Sequence, residues 1–218
     1  MSPFAGVTLV RPADRWPPFW NWSGARIRQG RLANAVGQPT GPATISTERL
    51  TLVPIPPAAL RFLLERQREQ AQSVLGVILP DEFATRSDDG FFQIQLDRME
   101  ESPQERDWMA RLMVLKGTTT AIGNIGFHGP PAVIGRAELG YTVYQPWRRQ
   151  GFAIEAIRAL LEFAARRGSP SVFISISPGN APSLALAQRL GFHQVGVQED
   201  EVDGTELVFE LPVSAAAR

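Results

Sequence analysis

The stretch from Ala137 to Ile176 constrains this chain more than any other. From Ala137 to Tyr144 the sequence "AELGYTVY" alternates strictly. Ala137, Leu139, Tyr141 and Val143 fall on one face, and Glu138, Gly140, Thr142 and Tyr144 on the other, which is the period of a half-buried strand. Pro146 stops it. Next, Ile154, Ile157, Leu161 and Ala164 line one face of a helix that Gly168 can close. The run "SVFISI", Ser171–Ile176, is almost continuously apolar and β-branched, so it predicts a strand buried on both faces. A strand, a crossing helix and a fully buried strand leave few options besides a layered α/β sheet.

The flanking sequence extends that frame. "RLTLVPI" predicts a first strand, broken by Pro56-Pro57. Helices are predicted over Ala58–Leu75 and Gly90–Glu101, the second ending before Pro103. "RDWMARLMVL" and "TAIGNIGFHG" read as strands turned at Gly117 and at Gly129-Pro130-Pro131, and "NAPSLALAQRLGF" as a short helix with Gly191 after its end. Strands over Phe192–Gln198 and Thr205–Leu211 close the chain around Asp203-Gly204. The order β-α-α-β-β-β-α-β-α-β-β gives about seven strands. The three consecutive strands form an antiparallel meander, so the sheet is mixed, with helices on its faces.

Composition narrows the chemistry. The 218-residue chain has no cysteine and two histidines, His128 and His193, which excludes disulfides and thiolate metal sites and leaves little for a histidine cluster; no metal is expected. No run of eighteen apolar residues suggests a membrane span. Residues 1–47 hold five arginines and one acid, Asp14, leaving residues 48–218 mildly acidic, against general nucleic-acid binding. The single lysine, Lys116, among many arginines reads as genome bias. Residues 1–47 show no sustained period and are expected to be an irregular or disordered arm. A start codon placed upstream and a faint likeness to a transit peptide are the alternatives, and Trp16, Phe19, Trp20 and Trp22 could dock it. The globular domain is placed at 48–212, with a tail at 213–218.

Between the alternating strand and the helix lies "QPWRRQGFAIEAI". The first N–H groups of a helix lack internal partners and sit at its positive end, so an anion is welcome there. Gly151 allows close backbone approach, Ala153 is small, and Arg148 and Arg149 carry guanidiniums. The combination reads as a pyrophosphate cradle, with a solvent-facing basic turn as the plain alternative. It is neither a dinucleotide-binding glycine fingerprint nor a nucleotide P-loop.

Together, "ELGYTVYQPWRRQGFAIEAI" and "NAPSLALAQRLGFHQVG" resemble the GCN5-related N-acetyltransferase (GNAT) superfamily, most closely its ribosomal-protein N-terminal acetyltransferase branch, over roughly residues 46–212. Its acyl-CoA signature matches at Arg148, Gly151 and Ala153. A second signature matches at Asn180, Ser183 and Leu190-Gly191-Phe192. The resemblance implies acetyl-CoA as co-substrate, held where two central strands splay apart. It places backbone groups of Thr142, Val143 and Tyr144 on the pantetheine arm, and Arg148, Arg149, Gln150, Gly151, Phe152 and Ala153 around the pyrophosphate. Asn180 would touch the pantetheine or hold the second splayed strand. Val143 N–H is a candidate oxyanion donor.

For the chemistry, the resemblance implies Glu138 as the base, often acting through water, with a paired structural carboxylate as its alternative. It implies Ser183 as the hydroxyl toward the leaving thiolate, with helix capping as its alternative. Some branches carry a tyrosine acid where this chain has Ala187. His128 is placed at the surface, with the acceptor pocket as its other option. His193 points outward, Tyr141 and Phe127 pack in the core, and Trp147 packs or covers the cofactor. The expected activity is N-acetyl transfer to a primary amine, either a small molecule or a protein N-terminus. The alternative is a non-catalytic acyl-CoA-binding module. Asp81, Glu82, Asp88 and Asp89 make an acidic rim suited to a cationic acceptor. The protein is expected in the cytoplasm without nucleic-acid or membrane partners, and a homodimer stays open.

Overall fold

The structure is a computed structural model that describes residues 8–9, 42–84, 88–129, 131, 135–200 and 204–213. Seven strands carry the sheet: β3 (Leu50–Pro54), β4 (Arg111–Leu115), β5 (Ala121–Phe127), β6 (Ala137–Val143), β7 (Ser171–Ile176), β8 (His193–Asp200) and β9 (Gly204–Pro212). Two dipeptide strands flank them, β1 (Thr8–Leu9) and β2 (Ile45–Ser46), giving the order β1-β8-β9-β7-β6-β5-β4-β3-β2. Most of residues 1–47, including Trp16, Phe19, Trp20 and Trp22, lies outside the described residues.

From β2 to β6 every neighbour is antiparallel, as are β7/β9 and β8/β9, while β6/β7 and β1/β8 are parallel. The sheet is therefore mixed and mostly antiparallel. The parallel β6/β7 pair arises because α4 (Phe152–Arg166) carries the chain back across the sheet before β7 begins.

Helices cover both faces. On one, Phe127 of β5 meets Trp108 at 5.1 Å and Phe163 of α4 at 6.3 Å between ring centroids. On the other, α3 (Asp89–Glu101) lays Phe91 beside His128, with centroids 6.4 Å apart. The core runs through Leu50, Leu52, Leu112, Ile122, Ile157 and Val172, all fully buried. Arg111 is buried too. Its guanidinium donates to the carbonyls of Ala43 at 2.7 Å and Asp107 at 2.8 Å, and burial lowers its pKa to about 10.

Two expectations are corrected. The predicted helix Ala58–Leu75 is two helices, α1 (Pro57–Leu64) and α2 (Arg68–Leu75), separated at Arg66, whose φ is 61°. Gln67 N–H reaches back to Phe62 O at 2.7 Å, the closure of a Schellman turn, with arginine standing where glycine usually does. The break is held by tertiary partners. Arg66 pairs with Asp89 at 2.5 Å, and Arg68 donates to Leu79 O at 2.8 Å and Phe83 O at 3.1 Å. The second correction concerns "RDWMARLMVL", whose first residues are a 3-10 helix, Pro103–Trp108. Pro103 starts that turn, and Trp108 is drawn inward against Phe127 and Phe163, so β4 starts only at Arg111.

Candidate active site

Strands β6 and β7 pair at only two positions, Ala137↔Val172 and Glu138↔Phe173. Beyond them β6 stays with β5 as far as Gly123↔Val143, and β7 stays with β9 as far as Ile176↔Leu207. Each strand keeps its outer partner while the inner edges part, so a wedge opens between them. Tyr144 N–H donates to Ile122 O at 2.9 Å and Glu138 O accepts from His128 N–H at 2.8 Å, both toward β5. By alternation, Tyr141 and Val143 turn their main-chain groups into the wedge. Of the three residues expected along a pantetheine arm, Val143 is thus the one whose main chain faces the wedge. Its carbonyl accepts from Arg148 Nε at 2.7 Å, which leaves its N–H as the donor. Thr142 and Tyr144 present side chains to the sheet face instead. Tyr144 is buried, its hydroxyl accepts from Asn124 Nδ2 at 3.3 Å, and burial pushes its pKa up to about 12.

At the mouth of the wedge a 3-10 turn, Gln145–Trp147, leads into α4. Arg149 at φ 62° and Gly151 at φ 84° are both left-handed, and this curls successive N–H groups into a concave nest. None of the main-chain N–H groups from Arg149 to Ala153 has an acceptor among the described residues. Gln150 uses its side chain to hold Pro146 O at 3.0 Å. Phe152 is buried, so it offers the site only its amide.

Sequence reasoning missed Arg49. Its Nη1 donates to Gln150 O at 3.0 Å, and its guanidinium lies 4.4 Å over the Phe152 ring. Its Nε meets Glu155 Oε2 at 2.7 Å. Glu155, in the first turn of α4, also accepts from Thr47 Oγ1 at 2.5 Å and Arg49 N–H at 2.7 Å. Burial pushes the Glu155 carboxyl up, but these bonds and the Arg49 charge together outweigh it and hold the pKa below its ordinary value. Arg49 thus brings a guanidinium to the nest, while that of Arg148, on the turn before it, holds Val143 O and Gln145 Oε1. Arg49 arrives from the bend between β2 and β3, about a hundred residues earlier in the chain, a proximity that no local pattern encodes.

Asn180 and Ser183 divide their work. Asn180 Oδ1 accepts from Ser183 N–H at 3.2 Å and caps α5 (Ala181–Leu190). The Ser183 hydroxyl, freed from capping, accepts from Tyr141 O–H at 3.1 Å. Because Tyr141 sits on β6 and Ser183 on the helix after β7, this bond spans the wedge. Burial raises the Tyr141 pKa and the Ser183 bond partly offsets it. Ala187 is fully buried beneath.

Glu138 sits at the vertex of the wedge and is only 8% exposed. Ser175 Oγ donates to its Oε1 at 2.9 Å, and Oε2 lies 3.5 Å from His128 Nδ1. A cavity of about 240 Å³ opens on the same sheet face under α3, lined by Glu82, Asp88, Phe91, Asn124, His128 and Thr142 among others. Glu138 is not among its lining residues. His128 is, so the imidazole stands between the carboxylate and the cavity. From the acidic rim, Glu82 and Asp88 reach this lining, whereas Asp89 is paired with Arg66 and Asp81 stands 3.9 Å from Arg68. Among the described residues no helix is long and apolar enough to cross a membrane.

Comparison with known proteins fits this geometry. A family model described as an acetyltransferase (GNAT) domain matches residues 49–193, and the chain belongs to that family. A curated relative, an uncharacterised N-acetyltransferase p20 from Bacillus licheniformis, is 30% identical over 89 residues. That alignment spans 40% of this chain and half the length of the relative. Among solved structures, a Vibrio cholerae protein described as a ribosomal-protein-serine acetyltransferase superposes with a TM-score of 0.57 at 25% identity, covering 79% of this chain and 99% of that one. An acetyltransferase from Agrobacterium tumefaciens superposes with a TM-score of 0.52 at 27% identity, covering 84% and 99%.

Proposed function

We propose, taking membership of the GNAT acetyltransferase family as the premise, that the chain moves the acetyl group of acetyl-CoA to a primary amine by direct attack in a ternary complex. The observation that carries this reading is the nest itself. It combines a run of main-chain N–H groups without acceptors among the described residues, the positive end of a fifteen-residue helix and the Arg49 guanidinium, all at the open end of the wedge. A diphosphate supplies the acceptors those main-chain N–H groups lack, and its charge suits the helix end and the guanidinium beside it. The pantetheine then runs into the wedge as an added strand along Val143, which brings the thioester toward the vertex, where Tyr141, Ser183 and Glu138 lie.

The amine approaches from the cavity under α3. Transfer needs it neutral, so its ammonium proton leaves first, drawn toward the Glu138 carboxylate. The amine lone pair then attacks the thioester carbonyl carbon. Val143 N–H stabilises the developing oxyanion, and the C–S bond breaks. The thiolate takes up a proton on the side where Tyr141 O–H donates to Ser183 Oγ. Holding both reactants in line supplies much of the rate. Glu82 and Asp88 in the cavity lining suit an acceptor that arrives positively charged. The Vibrio cholerae structural neighbour, described as a ribosomal-protein-serine acetyltransferase, supports a protein acceptor, for which the N-terminal amine is the candidate group, and a small cationic amine fits the same charge.

Two measurements test this. Calorimetry with the intact chain should show CoA binding that weakens as salt rises, because the contacts are ionic. Thiol release from acetyl-CoA should then appear with at least one class among alkylamines, amino acids, aminoglycosides and N-terminal peptides. Tight CoA binding without release for any class overturns transfer and leaves a binding module; absence of CoA binding overturns the nest.

A further inference from the structure

The geometry points to His128, rather than Glu138 directly, as the group that accepts the proton from the acceptor amine, with Glu138 as the residue that positions its ring. The inference rests on the acetyl-transfer reading and names the base of that reaction.

Four observations converge. Glu138 is buried and does not line the cavity, whereas His128 lines it and has a side chain 45% exposed. Second, the imidazole lies against Gly140, where a Cβ would come within 2.7 Å of its Nε2. The absence of a side chain there is what makes room for the Nε2 end of the ring over β6. Third, Nδ1 faces Glu138 Oε2 at 3.5 Å while Ser175 Oγ holds the other oxygen at 2.9 Å, an arrangement that fixes the carboxylate's direction. Fourth, the His128 backbone is pinned on both sides: its N–H donates to Glu138 O at 2.8 Å and its carbonyl accepts from Arg98 of α3. Charged and titratable groups facing the ring come from β6 (Glu138), α3 (Arg98) and the cavity wall (Glu82, Asp88, Tyr144).

In such a chain Nδ1 keeps its proton facing the carboxylate, which leaves the lone pair on Nε2, the ring atom nearest Gly140, itself a cavity-lining residue. The amine enters as R–NH3⁺ and gives one proton to Nε2. The resulting imidazolium is stabilised by Glu138. The C–N bond forms, a second proton passes to the departing sulfur as the C–S bond breaks, and the third stays on the amide nitrogen. His128 returns its proton to solvent.

The test begins without any acceptor. With His193→Gln in the background, His128 is the only imidazole, and two-bond ¹H–¹⁵N correlations report its tautomer. The expected result is the Nδ1–H form, switching to Nε2–H in Glu138→Gln, because Ser175 keeps the amide oxygen and turns the NH2 group toward the ring. An Nε2–H ring in the parent overturns the proposal whether or not an acceptor has been found. With an active amine from the panel, His128→Ala should lower kcat about 100-fold or more, leave KM for acetyl-CoA unchanged and recover partly in added imidazole. Parental kcat in His128→Ala also overturns it. A parent that never turns over would refute acetyl transfer and this inference with it, whereas an active parent with an Nε2–H ring refutes the base assignment alone.

Discussion

Replacing Gly151 by alanine separates the nest's shape from its stability. Gly151 has φ 84°, where an L-residue is strained by roughly 1 kcal/mol. Gly168, at the other end of the same helix, has φ 79° and nothing within 4 Å of an added Cβ. The two substitutions should therefore cost about the same in urea unfolding, a midpoint shift of about 0.5 M for a slope of about 2 kcal/mol/M. Their ligand effects should differ. A Cβ at Gly151 stands 3.4 Å from Arg49 Nη2, the mobile end of a side chain, so its effect on binding comes from the left-handed backbone relaxing and turning a nest N–H away from the ligand. Losing one charge-assisted contact is worth about 1.5–3 kcal/mol, a roughly tenfold to hundredfold weaker Kd for CoA. Calorimetry on both variants and the parent reads this directly. Gly168→Ala should bind CoA like the parent. A Gly151→Ala protein destabilised as expected yet binding CoA with parental affinity would refute the assignment of the nest.

Glu155→Ala removes the acceptor of Thr47 Oγ1 and of Arg49 N–H and Nε. The expected loss is about 2 kcal/mol at neutral pH, discounted because Arg49 is partly exposed. Because the folded Glu155 pKa is depressed, this stability is present above the ordinary carboxyl value of about 4.3. It is lost as pH falls through the folded value, so urea midpoints of parent and variant should converge in acid; a gap independent of pH would contradict the ion-pair account. Tyr141→Phe removes the donor to Ser183 and should lower kcat about tenfold with KM for acetyl-CoA unchanged. Unaltered steady-state kinetics would exclude the bridge from the reaction. Gly123→Ala would place a Cβ 2.2 Å from the Thr142 carbonyl of the neighbouring strand. Backbone cannot yield there, so a loss of about 3 kcal/mol or more is expected, seen as a fall in Tm; an unchanged Tm would show that β5 and β6 pair differently.

The sequence by itself determined the periodicities and the local chemistry. Strict alternation over Ala137–Val143, the apolar stripe of α4 and the β-branched run of β7 set the strand–helix–strand unit, because each is dictated by which neighbours share a face. The glycine before α4 and the arginines beside it were legible for the same reason, since a helix start exposes its N–H groups wherever it occurs. Tertiary structure decided what depends on residues far apart in the chain. The break at Arg66 requires a left-handed arginine, which its contacts with Asp89 and Ala84 O and the carbonyls held by Arg68 help make tolerable. Trp108 turned a predicted strand into a 3-10 helix because two aromatic rings from elsewhere packed against it. Arg49 entered the nest, Tyr141 met Ser183, and His128 came between Glu138 and the cavity, since β3, β5, β6 and α5 converge only once the sheet has formed. No local pattern encodes which distant side chain will face another across the wedge.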